Sequence, residues 1–141
     1  MGMFDSFRIS GSGLTAERLR MDLIANNLAN ANTTRTEDGG PYRRQMAVFA
    51  AAADENRKAP SQKVGRGVRV VGIVEDSLPP RMVYDPQHPD ANSDGYVAMP
   101  NINVVTEMVD LISATRAYEA NITAINAAKT MAMKALDIGR G

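Results

Sequence analysis

A chain of 141 residues, 44% of them apolar, has the length of a single domain and enough apolar material for a core. Sixteen Lys and Arg balance sixteen Asp and Glu. This excludes the basic excess that a nucleic-acid binder needs, and leaves little self-repulsion to oppose association. The absence of cysteine excludes disulfides and the usual structural zinc sites. No run approaches the roughly 18 uncharged apolar residues of a membrane span. The opening Met1–Arg8 lacks the basic stretch and apolar run of a cleavable signal peptide.

The kind of apolar residue is informative. There is no Trp, and only three Phe and four Tyr, against nine Met and abundant Ala. Small side chains and Met suit close helix–helix packing better than a large aromatic core.

The first segment, 1–32, reads as a helix beginning near residue 3. Phe7, Leu14, Met21 and Leu28 recur every seven residues, with Phe4, Ile24 and Ala31 at the second seam position and Ser10 and Glu17 interrupting it. Gly11 and Gly13 predict a kink or break, and Ser12 or Thr15 is placed to cap a helix starting near Leu14. Asn26, Asn27, Asn30 and Asn32 are unusual in a helix. They fit a fraying last turn, since Thr33 and Thr34 follow. They equally fit polar contacts that fix register between packed helices.

The middle, 33–102, has another character. Asp38–Pro41 is a turn, and Tyr42–Ala52 and Val68–Val74 are strand candidates. Glycines 65 and 67 and prolines 79, 80, 86 and 89 punctuate the rest. The expectation is a small β-hairpin followed by an extended, proline-bearing loop. Its first half is basic (Arg43, Arg44, Arg57, Lys58, Lys63, Arg66, Arg69) and its second half acidic (Glu75, Asp76, Asp85, Asp90, Asp94). Ordinary solvated surface and head-to-tail complementarity between copies both account for that.

Candidate chemistry is thin. His88 is the one histidine, and no nucleophile has a base near it in sequence. Glycines 65, 67 and 72 do not follow the dinucleotide-binding spacing. Asp90-Ala-Asn92-Ser-Asp94-Gly95 matches the first half of a calcium loop, but position twelve is Asn101, which offers no bidentate carboxylate. An Asx-rich turn explains it better. No catalytic, cofactor-binding or metal residue is assigned, and the chain reads as an assembly component and not an enzyme.

The last segment, 103–141, carries the clearest stripe. Asn101 or Asn103 can cap it. Then Val104, Met108, Leu111, Thr115, Tyr118, Ile122, Ile125, Lys129, Ala132 and Leu136 follow in alternating steps of four and three. Such a helix is about 50 Å long at 1.5 Å per residue. Val105, Val109, Ile112 and Met133 lie off the stripe, so the apolar surface is wider than one seam requires.

A resemblance enters at these residues. Ser12–Thr34, with its kernel Ile24–Asn32 (IANNLANAN), is similar to the N-terminal signature of bacterial flagellar axial proteins. Val83–Pro86, His88–Ala91, Gly95–Asn101, Asn103–Val109 and Arg116–Ile122 resemble the rod branch of that family, and more narrowly its proximal part. The resemblance implies a mainly α fold, with the long terminal helices (1–32 and 103–141) paired as an antiparallel coiled coil and 33–102 as a small β-hairpin and loop insert. It implies export through the flagellar type III apparatus, and helical polymerisation in the periplasmic drive shaft. The implied partners are further copies, the rod proteins FlgB, FlgF and FlgG, and FliE. The residues expected to carry helix packing and assembly are Leu14, Met21, Ile24, Asn26, Asn27, Leu28, Asn30, Val104, Met108, Leu111, Ile112, Tyr118, Ile122 and Ile125.

Overall fold

The computed structural model describes residues 2–52 and 65–141. The charges at Asp54, Glu55, Arg57, Lys58 and Lys63 lie outside the described residues. The elements are α1 (Met3–Ala29), β1 (Gln45–Ala51), β2 (Val68–Glu75), β3 (Arg81–Tyr84), β4 (Tyr96–Met99) and α2 (Val104–Gly139).

Both helices begin with a satisfied first turn. The Gly2 amide donates to the Asp5 carboxylate at 3.0 Å, and the Asn103 side chain accepts from the Thr106 amide at 3.2 Å. The expected break near Gly11 and Gly13 does not occur, and α1 runs unbroken through both. At Gly13 the reason is tertiary: a Cβ there would sit 2.9 Å from the side chain of Asn121, so glycine lets the two helices approach closely. Packing overrides intrinsic propensity.

The helices run in opposite directions. Gly13 meets Asn121, and 14 residues further along α1 Asn27 meets Glu107, 14 residues back along α2. The seam of α2 is residues 107, 111, 114, 118, 121, 125, 128 and 132, each of them buried or half-buried. Four of the ten expected stripe positions (Leu111, Tyr118, Ile125, Ala132) are in place, and the two end positions, Val104 and Leu136, are exposed. Four more are displaced by one residue, from Met108, Thr115, Ile122 and Lys129 to Glu107, Ala114, Asn121 and Ala128. The seam therefore uses small or polar residues in place of a bulkier neighbour. In α1 the best-buried face is likewise Ala16, Leu23, Ile24 and Asn27, while Phe4 is 85% exposed and Phe7, Leu14, Met21 and Leu28 are half-buried. Four of the seven fully buried apolar residues among those described are alanines, so this core works by closeness and not by bulk.

The β1–β2 hairpin lies along α1. At one end the Gln45 amide donates to Asn27 Oδ1 (2.9 Å), and at the other the Val68 amide donates to Ser12 Oγ (3.1 Å). Fifteen helical residues rise about 22 Å, and seven strand residues cover about 23 Å, so the two pins match in spacing. The register skips Val71 between Gly72 and Val70, a bulge that bends the ribbon.

The expected proline-bearing loop is instead a second hairpin, β3–β4, paired from Arg81–Met99 to Tyr84–Tyr96. Runs of four residues are too short to show a period of two, which is why the sequence conceals them. The Tyr84 and Tyr96 rings pack edge-on at 5.3 Å, and Gly95, at φ +83°, leaves room for Tyr84.

Candidate assembly surface and the buried node that orients it

Glu107 and Asn27 are each 1% exposed, an unusual depth for a carboxylate and an amide. Their hydrogen bonds join three elements. Asn27 Nδ2 donates to the Gln45 carbonyl (2.9 Å) and to Glu107 Oε2 (3.2 Å). Asn27 Oδ1 accepts from Tyr42 OH (3.0 Å) and from the Gln45 amide (2.9 Å). Arg44 Nε donates to Glu107 Oε1, and Arg44 Nη2 lies 3.5 Å from Asp110 Oδ2. A buried carboxylate is tolerable only with a partner of this kind. Tyr42 is pushed above its ordinary pKa by burial and then by the charges of Glu75 and Glu107. Asp5, at the far end of the helix pair, is held below the ordinary carboxylate value first by the Gly2 amide and then by Arg8.

The members of the asparagine cluster are used differently. Asn27 makes the interhelical contact. Asn30 caps the end of α1, donating to the Asn26 carbonyl (2.9 Å) and accepting from Thr33 (3.1 Å). Asn26 reaches Tyr42 OH at 3.3 Å, and Asn32 is exposed.

On the far side of α2 from the seam, Val105, Val109 and Ile112 are exposed, flanked by Val104 and Met108. The same face continues through Arg116, Glu119, Thr123, Ala127, Thr130 and Lys134. The surplus apolar face is thus confined to the first three turns, beside the buried node. Met133 belongs with a second exposed group at the other end, Met131, Leu136 and Ile138. Ile122 sits at the seam's edge, 37% exposed.

The calcium-like segment is tied into local structure. Asn92 Oδ1 accepts from the Asp94 and Tyr96 amides, and Asp90 Oδ2 accepts from the Thr34 hydroxyl (2.7 Å). His88 Nδ1 accepts from the Asp90 amide (3.0 Å). Among the described residues no group of three or more His, Asp or Glu is arranged to hold a metal ion. No helix among them is long and apolar enough to cross a membrane.

Residues 7–35 match the family described as flagella basal body rod protein, and residues 93–138 match the flagellar basal body rod FlgEFG protein C-terminal family. The flagellar basal-body rod protein FlgC of Borreliella burgdorferi is 50% identical over 152 aligned positions that cover 100% of both chains. Those of Bacillus subtilis and Salmonella typhimurium are 46% and 43% identical, each over 99% of this chain and 100% of the relative. The chain belongs to the FlgC family of flagellar basal-body rod proteins. It is a structural component of the flagellar basal body and not an enzyme.

Within this FlgC-family chain, Asn27 comes from the N-terminal matched segment and Glu107 from the C-terminal one, while Tyr42 and Arg44 lie between the two. Sequence reasoning assigned packing to Asn27 but missed Glu107, Arg44, Tyr42 and Ser12. One signal was present. A glutamate stands at the head of the 107–111–114–118 series, so a charge occupied a seam position.

Proposed function

We propose that this chain is a subunit of the proximal rod, which polymerises helically around the flagellar axis in the periplasm and transmits torque. Export without a cleaved signal peptide, through the flagellar export apparatus, belongs to the same reading. The helical segments 1–32 and 103–141 form the rod-core unit, coiled about each other, and 33–102 forms the outer unit. Ile24, Asn27, Leu111, Tyr118 and Ile125 are used within the subunit. The exposed Val104, Met108, Ile112 and Ile122, with the half-buried Leu14, Met21 and Leu28 and the polar Asn26 and Asn30, face neighbouring subunits: further copies, FlgB, FlgF, FlgG or FliE.

The observation that carries this reading is the apolar outer face of α2 at Val105, Val109 and Ile112, in a chain whose relatives over its whole length are rod proteins. Solvent-facing apolar groups at helical spacing, held in fixed orientation by the neighbouring buried node, suit helix–helix contact between subunits. Replacing Ile112 by Asp in the cell is expected to abolish swimming and remove the rod from purified basal bodies, while leaving the isolated chain as stable as before. Normal swimming with Ile112→Asp would sink the reading.

A further inference from the structure

The β1–β2 hairpin is fastened to α1 unequally at its two ends. At the node end Gln45 is held twice by Asn27, through its carbonyl and its amide, and the adjoining Arg44 is tied to Glu107. At the far end one bond runs from the Val68 amide to Ser12 Oγ, whose own proton goes to the Ile9 carbonyl (2.6 Å). The Arg66 charge also helps to lower the Asp5 pKa, so an attraction acts at this end across solvent, where salt screens it.

Packing between the two ends is thin. No residue of β1 or β2 is fully buried, and Val48, Val71, Ile73 and Val74 are exposed. A cleft of about 310 Å³ separates Arg20, Leu23 and Ile24 of α1 from Ala47 and Phe49 of β1. Well-packed elements leave few voids larger than a water molecule. Within the hairpin the ladder runs from Gln45–Glu75 to Ala51–Val68 with the one bulge at Val71, and continues in the bonds of Ala52 with Gly67 and Arg66. An element well bonded in itself and thinly packed on its neighbour opens as a unit.

We propose that the β1–β2 hairpin is a hinged strap, which lifts from α1 at the Ser12–Val68 end and pivots on the Asn27–Gln45 bonds while these stay closed. The strap covers Leu23, which is 8% exposed when it is down. Lifting it gives α1 a large apolar group on a side other than its seam with α2. The device follows from the bonding and packing of this one chain and does not rest on the rod reading. The hinge lies where polar bonds are directional and buried, and the free end where a single side-chain bond holds.

Native-state hydrogen exchange of the purified, unaltered full chain tests this first. Relative to their intrinsic rates, the Val68 amide is expected to exchange about tenfold or more faster than the Gln45 amide, which the hinge keeps closed. Equal protection at the two amides overturns the inference. A thiol probe tests it independently. The chain has no cysteine, so Leu23→Cys and Ala114→Cys each carry a single reporter. Ala114, 0% exposed on the seam of α2, is reached only when the helices part. Leu23→Cys is expected to react with a soluble disulfide reagent about tenfold or more faster than Ala114→Cys. Gly67→Ala, which disturbs the Ser12 end, is expected to speed labelling at position 23 by about fivefold or more and to leave position 114 unchanged. Equal rates at the two positions, or equal acceleration of both by Gly67→Ala, mean that the hairpin leaves α1 only when the whole fold opens, and overturn the inference.

Discussion

The two ends of the α1–α2 pair are held by different physics. At the node end Asn27, Glu107, Arg44 and Tyr42 form directional bonds that join both helices and the strand β1. From Gly13 outward the helices meet at the Asn121 side chain and at Ala128, and among the described residues no side-chain hydrogen bond is seen crossing between them there. Dispersion between small residues favours closeness but is tolerant of sliding. Buried polar bonds have one correct geometry. Register is therefore set at one end and propagated along the pair, while the other end keeps apolar surface uncovered.

The largest effect should come from removing the cation at the node. Arg44→Met leaves Glu107 buried with a single amide donor, which should cost about 3–5 kcal/mol. The double variant Arg44→Met/Glu107→Met should recover most of that loss, because the desolvated charge is gone. Urea unfolding of the two single variants and the double variant decides it. A double variant no better than Arg44→Met would show that the pair does not set the register.

This asymmetry explains what the sequence revealed. The helices, their limits to within a few residues and the first hairpin were legible, because 36 residues of α2 and the β-branched run at Val68–Val74 give repeated signals. The seam was legible only by halves. Leu111, Tyr118 and Ile125 announce themselves as large apolar groups, whereas Ala114, Asn121 and Ala128 qualify only once a partner helix comes close, as Gly13 allows at Asn121. The node was hidden for a similar reason. Asn27, Arg44 and Glu107 are far apart in sequence, and a Glu in the first turn of a helix is ordinarily explained by the helix dipole alone.

The next effect in size concerns the pin at the other end of the β1–β2 hairpin. Gly67 has φ +106°, and a Cβ there would overlap Ser12 Oγ and lie 3.3 Å from the Ile9 Cα. Gly67→Ala should cost about 2–3 kcal/mol, combining a backbone conformation poorly open to alanine with loss of the Ser12–Val68 bond. Hydrogen exchange should speed up at the Val68 amide while the Gln45 amide, bonded to Asn27, stays protected. Equal loss at both amides would mean that the two pins are not independent.

Closeness is tested at Gly13. A valine there must displace the Asn121 side chain, which bonds back to the Ala117 carbonyl at 2.9 Å. The expected cost of Gly13→Val is about 1–2 kcal/mol, the ordinary penalty for overfilling a packed seam. Asn121→Ala in the same chain should relieve much of it, since the space then exists. Calorimetry of the single and double variants measures this coupling, and strict additivity would place Gly13 outside the seam.

The smallest effect distinguishes the node by pH. The folded state raises the pKa of Tyr42, so folding favours its protonated form. That contribution is complete below the unfolded value of 10.0 and is lost as pH rises above it, when the unfolded chain ionises first. Tyr42→Phe removes the donor to Asn27 Oδ1 but leaves the Gln45 amide bonded there, so its cost near neutral pH should be about 1 kcal/mol. Thermal unfolding followed from pH 8 to 11 should therefore show the wild-type and Phe curves converging above pH 10. Parallel curves would mean that the Tyr42 hydroxyl is as free to ionise in the folded protein as in water, and that the node is open to solvent on its β1 side.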